Sequence, residues 1–446
     1  MLNLNQQIQY IQKHLKCNEL EDIAVLLGQM NMADQASLIQ QFHPDEQLTL
    51  FRLLIHPADV LEFMPLDQQH DLITRLHEYE IAQILDAMHS DDLIDLFNTF
   101  SMTLQQALLA QLSLASRKKL ELLSIYPEST AGSLMSSDYV TLSPELNMNE
   151  AIEALRQLAH HQDTLYLIYI VDAAEQLMGV ISLRQIIQAE PNARIRDVMT
   201  TDVIHACVED DQEDVARLLA HYDFIALPIT DQHKRLLGIV TYDDAMDIFE
   251  QEGTEDFLKA GAIAPFEKQS IKTVPIFSLY RNRVFWLVIL VFGSLLSSFG
   301  IAKYEDIIEQ NIVLVFFLPL LVGSGGNAGS QSATLMVRAL ATGDVELKDW
   351  FRLIGRETLV ALCLGITMAV AVSILGYIRG DEMVALVLAI SMTSIVLLGC
   401  LIGMSLPFIL NQLKLDPASA SSPLVTSICD ATGVVVYLFV ASQLIF

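Results

Sequence analysis

SPLVTSICDATGVVVYLFVASQLIF, residues 422–446, is apolar along its length and carries one charge, Asp430. A helix of about 20 such residues crosses the ~30 Å of bilayer hydrocarbon. A carboxylate near the bilayer centre costs ~2.5–3.5 kcal/mol on insertion scales, so it is expected to face water, an ion or a partner charge. No Lys or Arg away from the ends of the apolar segments is evident as that partner. Upstream, the apolar run 312–322 passes into Gly-Ser-Gly-Gly-Asn-Ala-Gly-Ser-Gln-Ser at 323–332. Glycines weaken a helix and admit a second backbone. Non-helical backbone at membrane depth is tolerated only inside protein or along water. The stretch therefore reads as a broken span, with Asn327, Gln331 and Ser332 as a polar lining. Together the two segments suggest an acidic, carbonyl-lined cation pathway.

Working outward, five segments are long enough to span a membrane, near 283–302, 312–340, 357–378, 384–411 and 422–446. Residues 1–280 carry a net charge of −26 and residues 281–446 only −2. An acidic, water-soluble front is thus joined to a nearly neutral, apolar back. Such a front repels nucleic acid and anionic lipid and concentrates cations. Lys268, Lys272, Arg281 and Arg283 precede the first span; Arg338, Lys348, Arg352 and Arg356 surround the second connection; Lys414 follows the fourth span. By the positive-inside rule these loops and the front are cytoplasmic and the C-terminus is external. The first residues lack a cationic region followed by an apolar stretch, so no cleaved signal is expected. The five cysteines (Cys17, Cys207, Cys363, Cys400 and Cys429) show no metal-ligand spacing and read as packing residues. Pro407 and Pro423 read as helix-shaping.

Residues 1–129 read as short amphipathic helices, among them Leu20–Met30, Asp45–Leu54, Asp67–Leu76, Glu80–Met88 and Asp91–Phe97. Pro57, Pro65, Asp45, Asp59 and Asp91 sit where helices should start. A small superhelix is predicted, each helix burying its stripe on the next. Residues 130–250 then contain a duplication. Met135-Ser-Ser-Asp-Tyr-Val returns as Met199-Thr-Thr-Asp-Val-Ile, and each copy continues through a helix, an apolar strand (165–171, then 225–229), a turn and a second strand (from Gly179, then from Gly238). This layout resembles a tandem pair of CBS domains, over 130–194 and 195–250. Such pairs usually regulate, binding adenine nucleotides or ions. The pattern Gly-x-x-Ser/Thr-x-x-Asp is met by Gly238, Thr241 and Asp244, a nucleotide site for ATP, whereas the first copy has Gln185 at the acidic position.

Acidic residues crowd three places: Asp91, Asp92 and Asp95; Asp210, Asp211, Glu213 and Asp214; and Asp243, Asp244, Asp247, Glu250, Glu252, Glu255 and Asp256. Like charges at helical spacing each cost a few tenths of a kcal/mol. Any one of these residues could simply face solvent. As clusters beside a cation pathway they read as divalent sites, and oxygen-only donors suit Mg²⁺ or Ca²⁺.

The order of an acidic helical domain, a CBS pair, a connecting helix (251–280) and a five-helix membrane domain (281–446) resembles the MgtE family of bacterial magnesium channels. The residues carrying the likeness are PLLVGSGGNAGSQSATLMVRALATGD (319–344), TYDDAMDIFEQEGTEDFLKAGA (241–262) and DPASASSPLVTSICDATG (416–433). The resemblance implies a homodimer in the inner membrane in which Asp430 of each protomer recognises Mg²⁺ on the shared axis. It implies that backbone oxygens of Gly326, Thr426 and Gly433 line that site, while Ser330 stands where some relatives carry Asn. It also implies regulatory Mg²⁺ ligands: Asp91 and Asp95 in the first domain, Asp211, Glu213, Asp223, Asp244 and Asp247 in the CBS pair, Glu252, Glu255 and Asp256 on the connecting helix, and Asp416 at the membrane side.

These readings give a channel passing Mg²⁺ down its electrochemical gradient and closed by cytoplasmic Mg²⁺. The membrane potential supplies ~2.3 kcal/mol per charge per 100 mV, doubled for a dication. A broader divalent channel (Co²⁺, Mn²⁺, Ni²⁺) is the alternative within transport, and a CBS-controlled membrane sensor is the alternative outside it. The sequence holds no P-loop, nucleophile motif or evident His-containing metal triad, and all its histidines, including His43, His56, His70, His160 and His161, are scattered through the front, so no enzyme is expected.

Overall fold

The computed structural model describes residues 4–445 apart from 128, 159–164 and 265–273, so Lys268, Lys272, His160 and His161 lie outside the described residues. The chain divides into two compact units, Met1–Gln251 and Glu252–Phe446.

The first unit begins with helices α1 to α10: Leu4–Cys17, Leu20–Leu27, Met32–Ile39, Pro44–Phe51, Pro57–Glu62, Leu66–Ile73, Glu78–Ala87, Ser90–Thr99, Met102–Gln111 and Leu114–Leu123. Local chemistry sets their starts. Pro44 and Pro57 stand in the first helical turn, where a missing N–H costs nothing. Asn31, Ser101 and Ser113 accept backbone N–H bonds at their helix N-termini. The superhelix forms, but with a different register. The main contacts join each helix to the next but one, α3 to α5, α4 to α6, α5 to α7, α6 to α8, α7 to α9 and α8 to α10. Ile23, Leu38, Leu50, Leu61, Ile73, Leu85 and Leu96 form the buried spine.

The duplication is exact in topology. After α11 (Ala131–Leu134), strand β1 (Thr141–Leu142), α12 (Met148–Leu158), β2 (Leu167–Val171), β3 (Leu177–Ser182) and α13 (Leu183–Gln188) form the first copy. Then α14 (Ile195–Val198) leads to β4 (Ala206–Cys207), α15 (Gln212–Tyr222), β5 (Ala226–Thr230), β6 (Leu236–Thr241) and α16 (Tyr242–Ala260). In each sheet the first strand runs parallel to the second, and the second antiparallel to the third. Even the irregularity repeats, at Ile170/Val171 and at Ile229/Thr230. The copies are intertwined through their glycines. A Cβ on Gly238 would lie 2.7 Å from the Met135 side chain, and one on Gly179 would lie 2.6 Å from Met199 Sδ. Each copy's opening Met therefore plugs the other's last strand.

The boundary expected at 250/251 falls inside one continuous helix. Residues 242–260 form α16 throughout, so the acidic connecting segment is the last CBS helix prolonged. Nothing between Phe249 and Glu255 stops it, since its one glycine, Gly253, is exposed and meets no neighbour.

The second unit contains α17 (Ile276–Lys303), α18 (Glu305–Gln310), α19 (Val313–Ala341), α20 (Trp350–Arg379), α21 (Glu382–Gln412) and α22 (Ser422–Leu444). Five of them, all but α18, are long and apolar enough to cross a membrane. The second span is not broken: α19 is continuous through residues 323–332 and accommodates Pro319 within it. Its glycines serve packing. Gly325 and Gly329 on α19 face Gly399 and Gly403 on α21, and Cβ atoms added to Gly399 and Gly403 would lie 2.4 and 1.9 Å from the carbonyl oxygens of Gly325 and Gly329. Close backbone approach of this kind is what small residues four apart provide in membranes. Gly403→Ala is therefore expected to force the two helices apart and cost about 1–3 kcal/mol, the usual range for overpacking, read as a lowered melting temperature in detergent. Pro407 lies buried within α21, and Pro423 occupies the first turn of α22.

Candidate cation sites

In the membrane unit, α19 and α22 bring two i,i+4 pairs together. Gly326 and Ser330 on α19 face Thr426 and Asp430 on α22. A Cβ on Gly326 would lie 2.9 Å from Thr426 Cγ2 and 3.2 Å from Asp430 Oδ1. Ser330 and Thr426 exchange a hydroxyl hydrogen bond of 3.0 Å, and Ser422 Oγ donates to Ser330 Oγ at 3.0 Å. A ladder of hydroxyls thus leads to the carboxylate, whose Oδ1 is buried and accepts no hydrogen bond among the described residues. An orphaned carboxylate oxygen normally costs ~1–3 kcal/mol or more, so this one is suited to a cation. Ser330 contributes its hydroxyl in place of an amide. Gly433 is buried against Ile395 and Val322. Asn327 is exposed, one residue and about 100° around α19 from Gly326.

Sequence reading overlooked a second acid in this unit. Glu357, on α20, accepts a hydrogen bond from buried Ser332 on α19. Its place at the edge of the third apolar segment is the available signal, hidden because that helix begins seven residues before the expected 357, at Trp350.

In the first unit, the N-terminus of α8 meets that of α16. Burial, and then the charges of Glu62 and Asp138, raise the Asp91 carboxyl above its usual range. Burial, then neighbouring Asp91, Glu62 and Asp244, push Asp92 up to about 9. Burial and then Asp91 push Asp244 up to about 7. Asp244 also caps α16, accepting hydrogen bonds from the Thr241 N–H at 3.2 Å and the Thr241 hydroxyl. Gln185 performs the same task in the first copy, accepting from the Ser182 N–H and hydroxyl, both at 2.8 Å. A neutral amide thus replaces the acid without loss of the turn. Asp138, beside this cluster, is paired with Lys119 at 2.7 Å.

The other acids divide. Asp95 and Asp247 are exposed. Asp211 caps α15 through the Glu213 N–H at 2.8 Å, while Glu213 pairs with Arg217, and Asp223 ends that helix with φ 53°. All three thus also serve α15 locally. In the second unit Glu255 and Asp416 both pair with Lys259, a residue not singled out from the sequence. Burial disfavours the Lys259 ammonium, but its bonds to Asp416 and Glu255 outweigh this and hold it above the usual lysine range. Burial and then Asp416 raise Asp256 above its usual range. One lysine thus joins two acids, with Asp256 close enough to feel its charge. Lys259→Met is expected to cost about 1 kcal/mol at this half-exposed site, and more of that loss should be recovered by Mg²⁺ than wild type gains from it, as read by melting with and without the ion.

A cavity of about 230 Å³ in the CBS pair is lined by Tyr139, Tyr166, Tyr169, Ile225, Thr241 and Tyr242, among others. Its aromatic walls and the Thr241 hydroxyl suit a planar base with a polar attachment.

Five apolar helices that follow a CBS pair in the chain, with Asp430 beside the hydroxyls of Ser330 and Thr426, define a membrane protein built to handle cations. Three family descriptions match: a divalent cation transporter over residues 318–440, an MgtE intracellular N domain over 30–129, and CBS domains over 131–192 and 195–250. The magnesium transporter MgtE of Thermus thermophilus is 36% identical over 92% of this chain and 94% of its own, and that of Bacillus subtilis 31% over 95% and 96%. A crystal structure of the soluble part of a magnesium transporter aligns with TM-score 0.53 at 29% identity, over 56% of this chain and 99% of that one. The cytosolic domain of the Mg²⁺ channel MgtE in complex with ATP aligns with TM-score 0.52 at 31% identity, over 54% and 99%. The chain belongs to the MgtE family of magnesium transporters.

Proposed function

We propose that this protein passes Mg²⁺ down its electrochemical gradient into the cytoplasm, as a transporter and not an enzyme. The observation that carries this is the unpartnered Asp430 Oδ1 at the head of the Ser422–Ser330–Thr426 ladder. Mg²⁺ sheds water reluctantly and prefers an octahedral oxygen shell. A carboxylate flanked by hydroxyls and a glycine can hold such an ion through its waters, where a dense ligand cage could not. In a homodimer, two Asp430 carboxylates would balance the dication.

Cytoplasmic Mg²⁺ closes the pore in this reading. The repulsion among Asp91, Asp92 and Asp244, and among Glu252, Glu255, Asp256 and Asp416, is relieved by bound dications, which favours the closed arrangement. Asp95, Asp211, Glu213, Asp223 and Asp247 supply outer ligands. Domain limits of 1–129, 130–194 and 195–250 suit this scheme, with α16 carrying the signal from the CBS pair onward. ATP would place its base in the aromatic cavity with Thr241 in the wall, with Gly238 and Asp244 as the further nucleotide residues, and would stabilise the CBS pair. The front faces the cytoplasm of a bacterial inner membrane and the C-terminus the outside.

The test is uptake into proteoliposomes with Mg²⁺, Co²⁺, Mn²⁺ and Ni²⁺ offered in turn, at low internal Mg²⁺. Uptake of Mg²⁺ in preference to the others supports the reading. Equal uptake of all four makes it a general divalent channel, and absence of flux makes the protein a sensor.

A further inference from the structure

The carboxylates at the start of α8 do not stand alone. Glu62, at the end of α5, accepts the His89 N–H through Oε1 at 2.9 Å, and its Oε2 lies 3.0 Å from His89 Nδ1. That separation fits a hydrogen bond. It also fits two adjacent ligands of one octahedral ion, because bonds of about 2.1 Å at right angles place their ends ~3.0 Å apart. Asp92 completes a set: one oxygen each from Glu62 and Asp92 and one His89 nitrogen lie within 4.8 Å of one another. Beside it stands Asp91, whose Oδ1 is buried without a hydrogen-bond partner among the described residues and whose charged neighbours include His89, Glu62 and Asp138. Lys119, close by, is held by Asp138.

We propose that Glu62, His89 and Asp92, backed by Asp91, bind a first-row transition-metal dication of the Co²⁺, Ni²⁺ or Zn²⁺ class. The imidazole sets the choice. Mg²⁺ takes oxygen donors and keeps its waters, whereas imidazole with carboxylates suits these borderline ions. The site is therefore separate in kind from the oxygen-only acid clusters, and its occupancy is an equilibrium property that does not depend on the transport reading. An ion seated there would also neutralise the charge that Asp244 feels, giving a transition metal a hold on the same place where Mg²⁺ acts.

The experiment is a Co²⁺ titration of the metal-stripped full chain in detergent, read by visible d–d absorption, with Mg²⁺ then added in ~100-fold excess. The variants are His89→Asn, which keeps a residue suited to the helix N-cap, and Glu62→Gln. Wild type is expected to give a Co²⁺ spectrum that survives the Mg²⁺, and each variant to weaken Co²⁺ binding about tenfold or more, the scale of losses at metal-site positions. The other such group among the described residues, His14, Glu19 and Asp22, is unchanged in the variants and cancels in the difference. Melting temperatures within a few degrees of wild type establish that the variants are folded. Co²⁺ affinity unchanged in folded His89→Asn, or a spectrum abolished by Mg²⁺, overturns the proposal. Loss of Mg²⁺ transport control with the Co²⁺ site intact would count against the gating reading alone.

Discussion

Asp430→Asn is expected to reduce Mg²⁺ uptake into proteoliposomes about 100-fold or more while leaving the protein folded. Two unit charges 4 Å apart interact by about 4 kcal/mol at the effective dielectric of a partly solvated site, and a dication doubles this. Water and neighbouring dipoles recover much of it when the charge is removed. Even a third of the total, near 2.7 kcal/mol, is two orders of magnitude in occupancy. Asn keeps the volume and the hydrogen-bonding oxygen, so the packing of α22 beside Gly326 and Thr426 is preserved. Thr426→Val and Ser330→Ala provide the contrast. They remove neutral hydroxyls joined at 3.0 Å, and each should lower uptake by a few-fold only. Uptake retained in folded Asp430→Asn would place the ion path elsewhere, with Glu357 the next acid to test.

Much of this architecture is legible in the residues because local and tertiary preferences agree. The CBS strands are short β-branched runs bounded by turns, and the two copies announce each other, down to a shared irregularity. In the first domain, Pro57 and Pro65 mark helix starts that the fold uses. The glycine run at 323–332 misleads for a physical reason. Helix propensity disfavours Gly by about 1 kcal/mol, but in a bilayer an unpaired backbone costs several times more, so the helix persists and the glycines become its contact surface. The readable signal is the spacing Gly325…Gly329 matched by Gly399…Gly403. Acids can also carry a local task that charge patterning does not show: Asp211 caps the start of α15 and Glu213 pairs with Arg217. The Glu62–His89 pair lies beyond any sequence pattern, since 27 residues separate its members and only the stacking of short helices unites them.

The acids between α8 and α16 make stability depend on pH and on Mg²⁺ together. Asp244, with an ordinary value of 3.8, is pushed up to about 7 by burial and then by Asp91, and Asp92 up to about 9 by burial and its acidic neighbours. A carboxyl raised in this way binds a proton more tightly folded than unfolded. Its favourable contribution is whole below pH ~4 and is lost as pH rises to the folded value. Without divalent ions, stability should therefore fall from about pH 4 through pH 7, and further toward pH 9. A tenfold gain in proton affinity on folding is worth about 1.4 kcal/mol, so Asp244 alone accounts for up to ~4 kcal/mol. For a unit of this size that is roughly 10 °C in melting temperature. Mg²⁺ replaces the missing protons and should flatten the slope. In Asp91→Asn/Asp244→Asn both the slope in chelator and the response to Mg²⁺ should shrink, and inhibition of flux by cytoplasmic Mg²⁺ should shift at least tenfold upward. Driving a gate from about 1:99 to 99:1 takes ~5.5 kcal/mol, and couplings run ~1–3 kcal/mol per site. Losing one such site therefore blunts the switch and leaves the Lys259–Asp416 region to act alone. Melting curves from pH 5 to 9, with chelator and with Mg²⁺, decide it: a double variant that keeps the wild-type slope and Mg²⁺ response would show that these carboxylates are not where the ion acts.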